Sequence, residues 1–181
     1  LQMSYYSSDS DFGQRLQADA NGIFSVQREK TEIDGVELRS EWQLNTANTL
    51  GLRYARTRGE YDSNGDGRVD TDLDGTNIAP DRLNLSWDRS WSDTVSSRVQ
   101  INHLLDRRFE NSSGTTVAQF DGYTTVDASA EIIALEGVFS LGIHNLANKD
   151  YFTYYAQTRA SDNLNFKGFG RSISLAYQRS F

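Results

Sequence analysis

The sequence has no cysteine, one proline and one methionine in 181 residues, and none of its apolar runs is long enough to cross a bilayer as a helix. The missing cysteines exclude a disulfide framework and thiolate metal centres, and leave the redox compartment open. The missing apolar run excludes a helical span, which needs about 20 such residues, so a closed β-barrel is the membrane-crossing option left. Lysine occurs only at Lys30, Lys149 and Lys167, and the formal net charge is -7. Nucleic acid is therefore excluded as a partner, since phosphate binding needs clustered cations and a positive field. Hydrophobic residues make up 37% of the chain, and the mean hydropathy is -0.62, both low for a soluble domain with a large core. The opening residues Leu1 to Tyr6 lack the basic and then apolar pattern of an export signal. Nucleophile-elbow, phosphate-loop and zinc patterns are also missing, which points away from an enzyme.

What the chain does have is a period of two. From Phe169 to Phe181 the odd positions carry Ile173, Leu175 and Tyr177 between Arg171 and Arg179, while the even ones are small or polar. Val36, Leu38, Trp42 and Leu44 alternate with Glu37, Arg39, Glu41 and Gln43; Leu50, Leu52 and Tyr54 alternate with Gly51, Arg53 and Ala55. Leu83, Leu85, Trp87 and Trp91 predict a further strand, as do Val95 to Leu105, Val126 to Ile132 and Phe139 to Ile143. With a weaker strand near residues 1–8, roughly eight antiparallel strands emerge, each near the ~10 residues that a tilted membrane strand needs.

Connection lengths alternate as well. Asn45 to Asn48, Trp91 to Thr94 and Leu135 to Gly137 read as tight turns, whereas residues 9–22, 62–80, 111–121 and 150–167 read as long loops rich in Gly, Ser, Asn and Asp. Short turns on one side and long loops on the other are the pattern of an outer-membrane barrel, with the C-terminus on the periplasmic side. Trp42, Trp87, Trp91, Tyr54, Tyr61, Phe139, Tyr177 and Phe181 are expected to form its interfacial aromatic girdle. Glu37, Arg39, Glu41, Arg53, Asp88, Arg98, Asp127 and Glu131 are expected to line its lumen.

Four segments carry a family resemblance. Leu141-Gly142-Ile143-His144-Asn145-Leu146-Ala147-Asn148-Lys149-Asp150-Tyr151 resembles the segment before the last strand of TonB-dependent outer-membrane receptors, and the run from Gly170 to Phe181 resembles their closing strand. Ile33-Asp34-Gly35-Val36-Glu37-Leu38 and Ala79-Pro80-Asp81-Arg82-Leu83-Asn84-Leu85 are similar to two earlier strands of the family. Such barrels have about 22 strands around a plugged lumen, so the resemblance implies that residues 1–181 are the C-terminal portion of one barrel domain, without plug or earlier strands. It also implies residence in the outer membrane of a Gram-negative cell, against lipid and lipopolysaccharide. The function implied is TonB-dependent import of a scarce ligand, most often a ferric siderophore. Tyr177 and the terminal Phe181 would be the signal read by the barrel-assembly machinery.

Two groups of site residues stand out. Asp62, Asn64, Asp66, Asp70 and Asp72 reproduce the opening of a calcium loop, with Gly67 at the sharp turn, but Leu73 stands where a bidentate Glu is needed. A structural calcium competes there with an ordinary acidic turn; no cofactor is otherwise required. Arg107 and Arg108 are candidate anion contacts, and Tyr151, Tyr154 and Tyr155 candidate stacking surfaces for an aromatic chelator. The alternatives are a complete small barrel acting as anchor or adhesin, and a soluble lipocalin-like barrel, which would need an apolar interior.

Overall fold

The computed structural model describes residues 1–19, 21–158 and 166–179. Its strands are β1 (Gln2–Ala18), β2 (Phe24–Asn45), β3 (Asn48–Tyr61), β4 (Thr71–Asp72), β5 (Arg82–Ser92), β6 (Val95–Leu104), β7 (Arg107–Glu110), β8 (Thr116–Phe120), β9 (Tyr123–Ala134), β10 (Gly137–His144) and β11 (Ser172–Arg179), with one short helix, α1 (Tyr154–Thr158). Nine of them form one antiparallel sheet: eight run in the order β1-β2-β3-β5-β6-β9-β10-β11, and the short β4 pairs with the end of β3. The number and placing of these strands agree with the alternation in the sequence.

The register shows why the pattern has two phases. One cross-strand row runs Trp42, Leu50, Trp87, Val99, Ala128, Ile143, Ile173, and the next, one residue along, runs Gln43, Thr49, Asp88, Arg98, Ser129, Gly142, Ser174. Successive side chains point to opposite faces, so every apolar row lies on one side and every polar row on the other. Leu85, Trp87, Ile101, Ile132, Leu141 and Leu175 are all exposed. An extended apolar face left open in this way suits hydrocarbon, not water. The polar face is the concave one, with a groove lined by Arg39, Glu41, Arg53, Asp88, Arg98 and Gln100. This polarity is the reverse of a lipocalin-like barrel.

The short connections are two residues each: 46–47, 93–94 and 135–136. Leu135 and Glu136 both have positive φ, 54° and 59°, the type I′ geometry that matches the strand twist. The Tyr177 hydroxyl donates to the Leu135 carbonyl at 2.7 Å, tying β11 to that turn, while Phe181 lies outside the described residues.

Two expected loops are in fact strand. Residues 9–22 were expected to be a loop, but β1 continues through Ala18 and pairs with β2 to the tip. At about 3.3 Å per residue the 22 residues of β2 reach roughly 70 Å, about twice what a tilted span needs. The upper hairpin therefore stands in water on both faces, where no alternation is required. Asn77 clamps it, accepting from the Leu16 N–H at 2.8 Å and donating to the Leu16 carbonyl at 3.0 Å. The Arg15 guanidinium lies 4.0 Å from the Tyr61 ring centre, so Tyr61 braces this hairpin and does not belong to the girdle. Residues 111–121 likewise are part of a small β7–β8 hairpin.

Asn145 organises the end of β10. It is 4% exposed with φ 48°, and its side chain accepts from the Lys149 N–H at 2.8 Å and donates to the carbonyls of Lys149 at 2.9 Å and Phe169 at 3.1 Å. Asn148 accepts from the Arg171 N–H at 2.9 Å and so aligns the start of β11. The Asn in the resemblance segment thus holds the closing hairpin together. At ~1–3 kcal/mol per stranded buried group, we expect Asn145→Ala to destabilise the intact barrel by about 2–4 kcal/mol. Its thermal unfolding in bilayers should fall by several degrees; an unchanged transition would contradict this role.

Candidate functional site

Among the described residues, the buried hydrophobic side chains are Leu73, Ile78, Phe109, Phe120, Tyr154 and Ala156, and none of them lies in a strand of the large sheet. They come from three loops on the long-loop side: β3–β5, β6–β9 and β10–β11. The core of this protein therefore sits above the sheet, where the loops meet water and apolar burial has its usual driving force.

Tyr154 is where the three loops join. Its ring meets Phe120 edge-on at 4.9 Å and lies 6.5 Å from Phe109, and its hydroxyl donates to the Ile78 carbonyl at 2.9 Å. Burial pushes the phenol up to about 12 despite the nearby Arg107 charge, so it remains a donor at neutral pH. Gln157 on α1 adds a two-way clasp, accepting from the Asp121 N–H at 3.0 Å and donating to the Asp121 carbonyl at 3.1 Å. Asp72 accepts from the Glu110 N–H at 2.8 Å, linking β4 to β7. Gly59 has no side chain because Leu73, Ile78 and Ile33 fill the space its Cβ would need.

Beneath this layer lies a charged pair. Arg58 forks onto Asp81 with two bonds of 2.7 Å, and Asp81 is 4% exposed. Arg107 is 5% exposed, donates from Nη1 to the Thr57 carbonyl at 3.0 Å, and stacks at 4.7 Å over Phe109. Its Nη2 has no partner among the described residues. Burial, followed by the neighbouring Arg58 charge, holds its pKa below the ordinary arginine range.

The expected ligand-facing residues separate accordingly. Arg108 and Tyr155 are exposed on the layer. Arg107 and Tyr154 are instead buried inside it, because the aromatic residues flanking them find each other before they find solvent. Tyr151 stacks on Tyr123 at 4.0 Å and is half-buried. Phe109 and Phe120 were missed by the sequence reading; the signal available was two aromatics bracketing the turn-rich Asn111-Ser112-Ser113-Gly114.

The acidic loop is ordered by its own backbone. Asp62, 6% exposed, accepts the N–H groups of Gly65 and Gly67, each at 2.7 Å, and more distantly those of Asn64 and Asp66. Burial opposes ionisation, but these amides outweigh it and hold the carboxyl below its ordinary value. Gly67, with φ 87°, permits the turn. Asp70 accepts from the Ser63 N–H at 3.1 Å and the Thr71 hydroxyl at 2.9 Å. Asp62 and Asp70 thus point their oxygens at separate amides and hydroxyls and not at a shared centre. Among the described residues no three carboxylate or imidazole groups converge as a metal site would require.

On the concave face a polar chain runs across the strands. Asn84 donates to Asn102 at 2.7 Å, Asn102 to Asp127 at 2.9 Å, and the Asn145 N–H to the other Asp127 oxygen at 2.9 Å. Asp88 and Arg98, directly opposite each other in the register, form an ion pair at 3.1 Å. The lumen-lining set therefore shares one face, as the alternation implied.

Comparison with known proteins gives a consistent result. The model of the TonB dependent receptor-like β-barrel family matches residues 1–146. Among solved structures, the copper transporter OprC is similar with a TM-score of 0.71 at 17% identity, over 94% of this chain and 27% of that one. The ferric-catecholate import receptor Fiu from E. coli gives 0.62 at 19% identity, over 96% and 24%. The siderophore receptor PiuA from Acinetobacter baumannii gives 0.62 at 18%, over 97% and 25%. The chain spans about a quarter of the length of each; at these identities the likeness bears on fold.

If Tyr154 joins the loops, its variants should form a graded series. Tyr154→Phe strands the Ile78 carbonyl and is expected to weaken the layer by about 1 kcal/mol. Tyr154→Ala opens a cavity between Phe109 and Phe120 and should cost ~3–5 kcal/mol. Amide exchange in residues 105–122 and 150–158 should accelerate in that order; equal protection in both variants would refute the assignment.

Proposed function

The chain belongs to the TonB-dependent receptors, and from that membership we propose that it forms the C-terminal part of an outer-membrane barrel importing a ferric siderophore. The observation that carries the membrane placement is the split of the sheet into an exposed apolar face and a polar, hydrogen-bonded concave one. The sheet's order leaves β1 and β11 as opposite edges. Such edges are untenable in hydrocarbon, so further strands of the receptor complete the wall. That argues against a self-contained eight-stranded anchor or adhesin.

The solved relatives are named for transport or reception, and import is the activity proposed here in place of catalysis. A plug seated against Arg39, Arg53, Asp88 and Arg98, and energy coupling through TonB, belong to the rest of the receptor. Tyr177 and Phe181 are proposed as residues read by the barrel-assembly machinery.

The exposed side chains of the loop layer suit one class of ligand. Arg108 is exposed on a hairpin whose base holds the buried Arg107 with one guanidinium nitrogen unpartnered among the described residues, and Tyr155 is exposed in the same loop layer. An anionic, aromatic chelate offers both charge and ring faces to such a surface.

Deleting the parent gene should abolish growth and radiolabelled iron uptake when a ferric catecholate is the only iron source, with both restored by the intact gene. Charge and ring removal in Arg108→Ala plus Tyr155→Ala should reduce uptake severalfold while leaving barrel assembly unchanged. Growth unaffected on every ferric chelate, or a defect confined to copper, would overturn the siderophore reading.

A further inference from the structure

Near the 93–94 turn the apolar face carries a cation, Arg89, that no carboxylate answers among the described residues. Arg89 continues the outward alternation Leu83, Leu85, Trp87 on β5 and sits opposite Asn48 on β3 and Ser97 on β6, close to the 93–94 turn. Its guanidinium carbon lies 3.9 Å from the Trp91 ring centre and 6.0 Å from that of Trp87. Both indoles are fixed: Trp87 Nε1 donates to Asn48 Oδ1 at 3.0 Å and Trp91 Nε1 to Ser97 Oγ at 2.8 Å. The Arg89 Nε is buried and has no partner among the described residues. The ion pairs formed by neighbouring arginines leave it out, since Arg98 meets Asp88 on the other face and Arg179 meets Glu136.

A guanidinium on a lipid-facing surface without a counter-charge is unfavourable unless the membrane supplies one. The indole faces orient the cation but do not neutralise it. What this height of the wall offers is the phosphate layer of the leaflet on the short-turn side, and a guanidinium fork fits a phosphodiester better than an ammonium does. Leu50 and Val99 one step further into the membrane on the same face, and Leu52, Leu85 and Ile101 in the row beyond, give the acyl chains an apolar track. We propose that Arg89, Trp87 and Trp91 form a binding site for the phosphodiester of a phospholipid in the periplasmic leaflet. The site fixes the depth at which this part of the wall rides in the bilayer. It rests on the outer-membrane placement argued above.

The test uses the intact receptor, purified from membranes in detergent, stripped of lipid and titrated with phosphatidylglycerol while bound lipid is followed by native mass spectrometry. Diacylglycerol, which lacks the phosphate, is titrated in parallel. The wild type should bind phosphatidylglycerol in preference to diacylglycerol. Arg89→Gln should weaken the first binding event about fivefold and erase the preference, the size expected for one interfacial cation. Arg89→Lys, which keeps the charge and loses the fork, should fall between them, and its assembly controls for folding. Titrations of wild type and Arg89→Gln that superimpose, or equal binding of the two lipids by the wild type, would overturn the site while leaving the membrane placement intact. A receptor that fails to co-sediment with outer membranes would overturn both.

Discussion

In hydrocarbon an unpaired backbone N–H or C=O has no water to turn to, and each costs several kcal/mol. The antiparallel ladder meets that requirement here strand by strand, from β1 to β11. Once the ladder is fixed, side chains have only two directions, and the sequence must satisfy a different solvent in each. Trp87 and Asp88, adjacent in the chain, therefore occupy opposite environments. The low overall hydropathy follows directly, because half of each span faces a wet lumen where charge is useful.

This division also moves the core. A sheet whose apolar side faces lipid contributes nothing to an interior, so the only packed interior described is the loop layer around Phe109, Phe120 and Tyr154. Arg58–Asp81 and the Asp62 turn show the same economy with polar groups: the buried Asp81 carboxylate is met at short range by a guanidinium and that of Asp62 by amides. The layer is held by contacts among its own loops. Exposed residues such as Arg108 and Tyr155 are presented from it, and the buried residues do the presenting.

The spans were legible in the sequence because bilayer and lumen impose strict alternation, as in Val99, Gln100, Ile101 and Asn102. The upper β1–β2 hairpin was not, since water on both sides allows Ser7, Ser8, Asp9 and Ser10 in succession, and only pairing with β2 makes them strand. The loop layer was half legible. Its aromatic richness could be read, but whether Tyr154 faces a ligand or a neighbouring loop depends on contacts 76 residues apart in the chain. Asp62 was visible as a turn-forming acid, whereas the direction of its two oxygens is a matter of backbone geometry. The Asn145 turn stood out through its resemblance segment, and its bonds supply the physical reason for that residue.

Which face of the sheet meets lipid decides how this wall sits in the membrane. Because this chain has no cysteine of its own, single cysteines at Arg98, Val99, Gln100, Ile101 and Asn102 of β6 can carry nitroxide labels in the intact receptor, reconstituted in bilayers. Collision with oxygen, which concentrates in hydrocarbon, should peak at positions 99 and 101 and fall at 98, 100 and 102, where a water-soluble paramagnetic chelate should prevail wherever the lumen is open. A profile without period two, or one with the phases exchanged, would contradict the assignment of the apolar face to the membrane.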